Sequence, residues 1–369
     1  MSVHAQTIIA WIEQLAPKAW AEDWDNVGLL VGSLQKQVER VLLTLDVDEA
    51  VVEEAIALGS SLIIAHHPLI FRPLKAIRTD LANGKLLERL IKHDIAVYAA
   101  HTNLDVSPTG VNQALAEQLG LSELEPLKTV GSEQLYKLVV YVPLTHAAAV
   151  RQALGDHGAG HLGNYSHCSF SSPGSGRFLP LSGSNPSLGK VGKLEIADEE
   201  RVEVVVSTAR LRSVVRAMLR AHPYEEVAYD IIALENPGPA RSLGYIGSLP
   251  QALSVEQFLQ LIKAKLQLKG LRFAGQPRGT ISKVAVCGGS GGDLVYAASG
   301  RADALVTGDV GYHQAQDAAA QGLLVVDAGH YATEWPVLTV LQQLLRQNAR
   351  PDELEVLVST ANHDVWNWA

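Results

Sequence analysis

Cysteine is nearly absent: Cys168 and Cys287 are the only two in a chain of 369 residues. Two thiols so far apart exclude a disulfide framework and fit a reducing compartment, with Cys287 reading as a small core residue. Long apolar runs are missing as well. Hydrophobic residues make up 47% of the chain, yet charges interrupt every apolar run well before the ~18 residues a bilayer-crossing helix needs, which excludes a membrane partner. Positive charge is scarce. A net charge of -9 argues against nucleic acid as a partner, because that affinity comes from lysines and arginines that neutralise phosphates. Arg212, Arg216 and Arg220 are a local exception, spaced to share one helix face. A solvated face is favoured there over an anion contact. Residues 1–15 lack the basic patch and unbroken apolar stretch of a signal peptide. They predict an amphipathic helix burying Ile8, Ile9, Ile12 and Leu15, and a cytoplasmic location is expected.

The length exceeds one comfortable core, so at least two structural units are expected. From Val41 the pattern is a strand (VLLTLDV), a helix, a strand (SLIIA) and then His66-His67-Pro68. A second βαβ pattern runs from KVAVCGG through ADALVTG to Asp309. The segments VYAAHTNLD (Val97 to Asp105) and VDAGHYATE (Val326 to Glu334) superpose without a gap, pairing His101 with His330 and Asp105 with Glu334. Each half therefore ends an apolar strand on a histidine and sets a carboxylate four residues later, where parallel α/β sheets assemble their sites. The fold class expected is α/β, a duplicated α/β/α core. A β, α, β, β, α, β order with a Gly/Ser/Pro-rich stretch after its first helix interrupts the core, and this is the order of a ferredoxin-like α+β module. The expected domains are 1–129, an insert at 130–237 closed by the turn Asn236-Pro237-Gly238-Pro239, and 238–369.

Imidazole and carboxylate donors together suit zinc, manganese or iron. Five of them exceed what one catalytic ion takes, and with one carboxylate bridging they suffice for two ions about 3.5–4 Å apart. Each residue alone has a blander explanation. Adjacent histidines point to opposite sides of an ideal strand, so His66 and His67 share a site only if the chain turns at Pro68. A histidine with a carboxylate four residues on is also an ordinary helix-surface pair. What carries the metal reading is four strand-end features in one repeated framework.

Here the sequence resembles the GTP cyclohydrolase 1 type 2 homologue family, also called Nif-three-like proteins. The motifs are EDWDNVGLLVG (Glu22 to Gly32), AHHPL (Ala65 to Leu69), AAHTNLD (Ala99 to Asp105), TGDVGYH (Thr307 to His313) and DAGHYATE (Asp327 to Glu334). The resemblance implies a dinuclear site of two divalent metal ions per chain held by His66, His67, Asp105, His330 and Glu334. It implies a toroidal homohexamer capped by inserted domains. The middle segment resembles a PII-like or CutA-like domain, chiefly at HPYEE (His222 to Glu226). The expected function is that of a metal-dependent hydrolase acting on a nucleotide-like or phosphorylated small molecule, GTP cyclohydrolase-type activity being suggested by the family name alone. The alternative is a non-catalytic regulatory or metal-chaperone protein.

His101, the duplicate of His330, is assigned proton transfer or support of the metal ligands. Asp309 and His313 have either a supporting acid–base role or, for Asp309, a helix cap. The run Gly288 to Gly292 either cradles an anion or forms a tight turn. Trp24, Asp25 and Asn26 line the entrance or serve packing and turn roles. His146, His157, His161 and His167, with His222, are irregularly spaced, and no further metal is expected in the insert.

Overall fold

The structure, a computed structural model, describes residues 2–277 and 279–367. The chain is mixed α/β and forms two compact units: Met1–Gly131 with Arg241–Ala369, and Ser132–Ala240. Among the described residues no helix is long and apolar enough to cross a membrane.

The first unit contains two sets of parallel strands. Arg40–Thr44, Leu62–Ala65 and Ala96–Ala99 lie side by side, with Glu355–Val358 parallel on one flank and Gly28–Val31 antiparallel on the other. Ile281–Ser290, Ala304–Gly308 and Leu324–Asp327 repeat that order, flanked by antiparallel Arg272–Ala274 beside the third strand and by residues 245–253 beside the first. Such strands are apolar throughout because both faces are covered, and the alternation of side chains decides which face each serves. Leu43, Ile64 and Tyr98 pack on Ile8 and Ile12 of the Ala5–Leu15 helix and on Leu338 and Leu341 of the Pro336–Asn348 helix. Leu42, Ile63 and Val97 point the other way, onto Val51, Val52 and Leu90. In the second set Val284, Val306 and Val326 face Phe258 and Ile262, while Ala285, Leu305 and Val325 face Val295 and Ala318.

Local signals explain where helices begin and end. Asp48 accepts the Val51 N–H at the start of Glu49–Leu58, and Gly59 closes that helix in the left-handed conformation its φ of 67° requires. Ser254 and Gln257 form a reciprocal capping box at Val255–Lys265. The N-terminal helix buries Ile8, Ile9 and Ile12 as its spacing predicts, with Leu15 half-buried.

The second unit runs strand, helix, strand, strand, helix, strand. Residues 135–143 pair antiparallel with 199–207, and Ser169–Phe178 pairs with the opposite edge of the same strand. The Gly/Ser/Pro-rich stretch thus supplies a strand as far as Phe178. Helices Ala147–Asp156 and Thr208–Ala221 cover Leu138, Val140, Val202 and Val204 with Val150, Leu154, Val214 and Met218. Arg212, Arg216 and Arg220 are exposed on the far face of their helix.

Ile64 is fully buried two residues before His66. Replacing it with alanine is expected to lower unfolding stability by about 2–5 kcal/mol, measured by urea titration of chelator-treated protein. A loss under 1 kcal/mol would mean that this strand is not part of the cooperative core.

Candidate metal centre

The strand ends converge as parallel-sheet physics demands. His66 and His67 continue past Leu62–Ala65, their N–H groups still donating to the Thr44 and Leu45 carbonyls. The chain bends there, so both rings face one centre, 4.9 Å apart between centroids. His330 begins the short helix His330–Glu334, whose i,i+4 geometry brings Glu334 Oε1 to 3.1 Å from His330 Nε2. The corresponding helix, Thr102–Asp105, follows His101.

All five residues expected from the sequence meet, and His101 joins them. Among the described residues, donor atoms close enough to share a cation occur in three sets: His66, Asp105 and Glu334; His67, His330 and Glu334; and His66, His67 and His101. His66 Nε2 stands 3.5 Å from Asp105 Oδ1 and 3.6 Å from Glu334 Oε1. His67 Nε2 lies 3.1 Å from Glu334 Oε2 and 3.3 Å from His330 Nε2.

Every imidazole turns its Nδ1 outward to an oxygen. His66 donates to the Ala100 carbonyl at 2.8 Å. His67 pairs with Asp46 at 2.9 Å, His101 with Asp25 at 2.9 Å and His330 with Asp309 at 2.7 Å. These acceptors favour hydrogen on Nδ1 and leave the Nε2 lone pair directed inward, the arrangement metal-binding histidines adopt. His66 Nε2, Asp105 Oδ1 and Glu334 Oε2 are buried without a hydrogen-bond partner, although opposite charges stand nearby. Buried polar atoms are rarely left so. A cation among them would satisfy all three, and by this test the donor set fits a metal.

Burial alone would raise the Glu334 carboxyl, but the charge of His66 and the hydrogen bond from His330 hold it well below its ordinary value. Asp105 goes the other way, since burial raises it and the charges of neighbouring histidines do not compensate fully. Burial would lower His67, yet pairing with Asp46 and Glu334 pushes it up to about 10. The Glu334 hydrogen bond raises His330 to about 9. Burial of Cys287, with Asp105 and Glu334 nearby, pushes its thiol up.

Asp46 and Asn112 escape the sequence reading of the site, and Asp25, expected only at its entrance, orients a histidine. Asp46 lies two residues beyond Arg40–Thr44, the strand beside the one that leads to His66 and His67. Asp25 also accepts from the Thr102 N–H at 3.0 Å and hydroxyl at 2.6 Å, and its carboxylate is fully covered. Burial would raise it, but the hydrogen bonds of His101 and Thr102 hold it well below the usual carboxylate range. Asn112 joins the halves, donating to the Asp105 carbonyl and accepting the Gly288 N–H. A strand-end carboxylate was the available signal for Asp46, and the EDWDN motif for Asp25.

One alternative is corrected. Asp309 does not cap the following helix, which starts at Tyr312 after Gly311. Its backbone sits at φ 52° and its carboxylate turns to His330. In the glycine run the Gly288 and Gly289 N–H groups serve Asn112 and Thr333 and so are not open to an anion. Gly289 is needed for close approach: a Cβ there would lie 2.3 Å from Glu334 Oε1. Trp24 is 59% exposed with its ring edge-on to His101 and tilted against Phe71, and Asn26 donates to the Ile70 carbonyl. His313 is exposed, its ring against Tyr312. None of the donor sets found among the described residues includes an insert histidine.

Residues 3–365 match the family described as Duf34/NIF3 (NGG1p interacting factor 3). The chain belongs to the Duf34/NIF3 family. A Halalkalibacterium halodurans protein named GTP cyclohydrolase 1 type 2 homolog is 45% identical over 362 residues, covering 98% of this chain and 95% of its own. Its namesake from Bacillus subtilis is 49% identical over 332 residues, covering 90% and 89%. The crystal structure of a Bacillus cereus protein related to NIF3 superposes with a TM-score of 0.86 at 46% identity, covering 100% of this chain and 99% of that one. The mixed α/β fold is therefore that of NIF3 structures.

The raised values of His67 and His330 set the pH response of the metal-free Duf34/NIF3 chain. Pairs formed by protonated imidazoles contribute fully below about pH 6.5, the ordinary histidine value, and are lost as pH rises through 9 and 10. Thermal unfolding of chelator-stripped protein is expected to show a falling midpoint over that window. A divalent cation, which requires neutral imidazoles, should reverse the trend. A flat profile for the stripped protein contradicts the ion pairing.

Proposed function

We propose that this centre holds two divalent cations and that the chain is a metal-dependent hydrolase of a nucleotide-like or phosphorylated small molecule. The observation carrying the reading is Glu334, a buried carboxylate common to two of the three donor sets. His67 and His330 would hold one cation and His66 and Asp105 the other, with Glu334 serving both. The mixed nitrogen and oxygen donors suit zinc, manganese or iron. When bound, such a pair supplies Lewis acidity to water and to the bond under attack.

The chain's own residues orient and exclude. Asp46, Asp25 and Asp309 fix the rings of His67, His101 and His330. His101, held by Asp25, is assigned proton transfer at its free Nε2. A cavity of about 300 Å³ borders His330 and Asp309 and is lined further by Arg272, which is paired with Asp327, by Asp364 and by Trp366. Its Trp366 ring suits a base, while its three aspartates would leave a phosphate to the cations themselves. The relatives' name supports a nucleotide-like substrate.

The 130–237 segment is assigned as a PII-like or CutA-like domain on its element order, and the assembly as a cytoplasmic toroidal homohexamer on the family resemblance. A regulatory or metal-chaperone role without turnover is the second reading, favoured by a separate cavity in the inserted unit.

The deciding experiment is metal content per chain, for wild type and His330→Ala purified without chelator, with hydrolysis of GTP and phosphorylated metabolites screened on the same samples. The expected result is about two ions in wild type, lost in the variant together with an activity. Metal without turnover would favour the regulatory reading, and no metal after reconstitution with zinc, manganese and iron would overturn both. Asp309→Asn, which keeps the ring in place with a weaker acceptor, is expected to weaken metal affinity by about 10–100-fold in chelator competition.

A further inference from the structure

We infer that the inserted unit carries a binding site for a small organic cation, an ammonium or guanidinium group on an apolar body, in the cavity beside Tyr224 and Glu199. The cavity measures about 640 Å³ and lies wholly within residues 141–228. That volume is in the range of small-molecule sites.

The HPYEE motif builds its wall. His222 is buried, and its Nδ1 accepts the Tyr224 N–H at 3.1 Å, so the ring hydrogen is on Nε2, which donates to the Tyr141 carbonyl at 2.9 Å. Both nitrogens are consumed, and the consequence is a fixed backbone at Tyr224. The Tyr224 ring stands edge-on to Phe178 at 5.7 Å, and its hydroxyl donates to Glu199 Oε1 at 3.0 Å.

Glu199 is only 8% exposed, and no ion pair reaches it among the described residues. Its Oε2 lies against Gly176, where a Cβ would stand 2.1 Å away, so the strand supplies no side chain to cover that oxygen. A largely covered carboxylate with one neutral donor is a ready counter-ion for a cation entering the cavity. The other charges of the lining are Glu225, whose Oε1 accepts the Asn185 N–H, Glu226 and Arg177. Three carboxylates against one guanidinium leave the cavity negative. Phosphate, nucleotide and carboxylate ligands are disfavoured by that balance, whereas a cation gains from Glu199 and from the aromatic lining of Tyr141, Phe178 and Tyr224. Leu179, Leu181 and Leu188 are 48%, 69% and 41% exposed around the same cavity, ready to cover an apolar body.

The test is calorimetric titration of the full chain with sets matched in shape and differing in charge, beginning with tryptamine, tryptophol and indole-3-propionate and extended to alkylamines and guanidines with their own alcohol and acid counterparts. Within a set the amine is expected to bind at least about tenfold tighter than the alcohol, and the acid not at all. Glu199→Gln should remove most of the amine's advantage without changing the alcohol's affinity. The wild-type charge series decides the matter even if that variant does not fold, and Glu226→Gln offers a rim substitution that leaves the buried pair intact. Acid binding as tight as amine, an unchanged amine advantage in folded Glu199→Gln, or no binding by any set up to about 10 mM would each overturn the inference.

Discussion

A carboxylate that water cannot reach must be neutralised by its neighbours, and Glu334 meets His66, His67 and His330 for that reason. Other features of the first unit follow from keeping it there. Gly289 gives up its side chain so that Glu334 can approach the strand, and Thr333 ties the glycine's N–H to the same short helix. Asn112 crosses from the first half to the second at that point. The histidines are held in turn by Asp46, Asp309 and the Ala100 carbonyl, so each inward nitrogen is aimed by an outward hydrogen bond.

The inner ring of this centre was legible in the sequence because strand ends are. His66 and His67 follow SLIIA, and the repeat of His101 with Asp105 in His330 with Glu334 marks equivalent positions in two similar sheets. The outer ring was not. Asp46 pairs with a histidine across a neighbouring strand, and Asp25 approaches His101 from 76 residues away, so no local spacing announces either contact. Asp309 was read as a possible cap because aspartate commonly stands there. Its left-handed backbone, which aspartate tolerates better than most residues, redirects the side chain. Fold class was accessible for the same reason as the inner ring: strands buried on both faces leave continuous apolar runs, and helices leave a periodic stripe.

The inserted unit gives the opposite lesson. Its most recognisable motif, HPYEE, resembles a chemical signature but spends its histidine on backbone geometry. The consequence of that spending lies two residues on, in the placement of the Tyr224 ring and hydroxyl. The SSPGSGRF segment has the composition of a flexible loop, yet it pairs as a strand, and Gly176 within it makes room for the Glu199 carboxylate. In both cases composition named the residue types and the fold reassigned their roles.

The two sides of the metal centre are separated by a long stretch of chain: His67 and His330 lie 263 residues apart. At roughly 5–20 residues per second, translation leaves the early histidines without Glu334 for about 13–50 s. The full donor set is therefore completed late in biosynthesis, only once the second half has folded against the first. The inserted unit lengthens that interval and so delays the moment at which a growing chain can bring Glu334 to the early histidines.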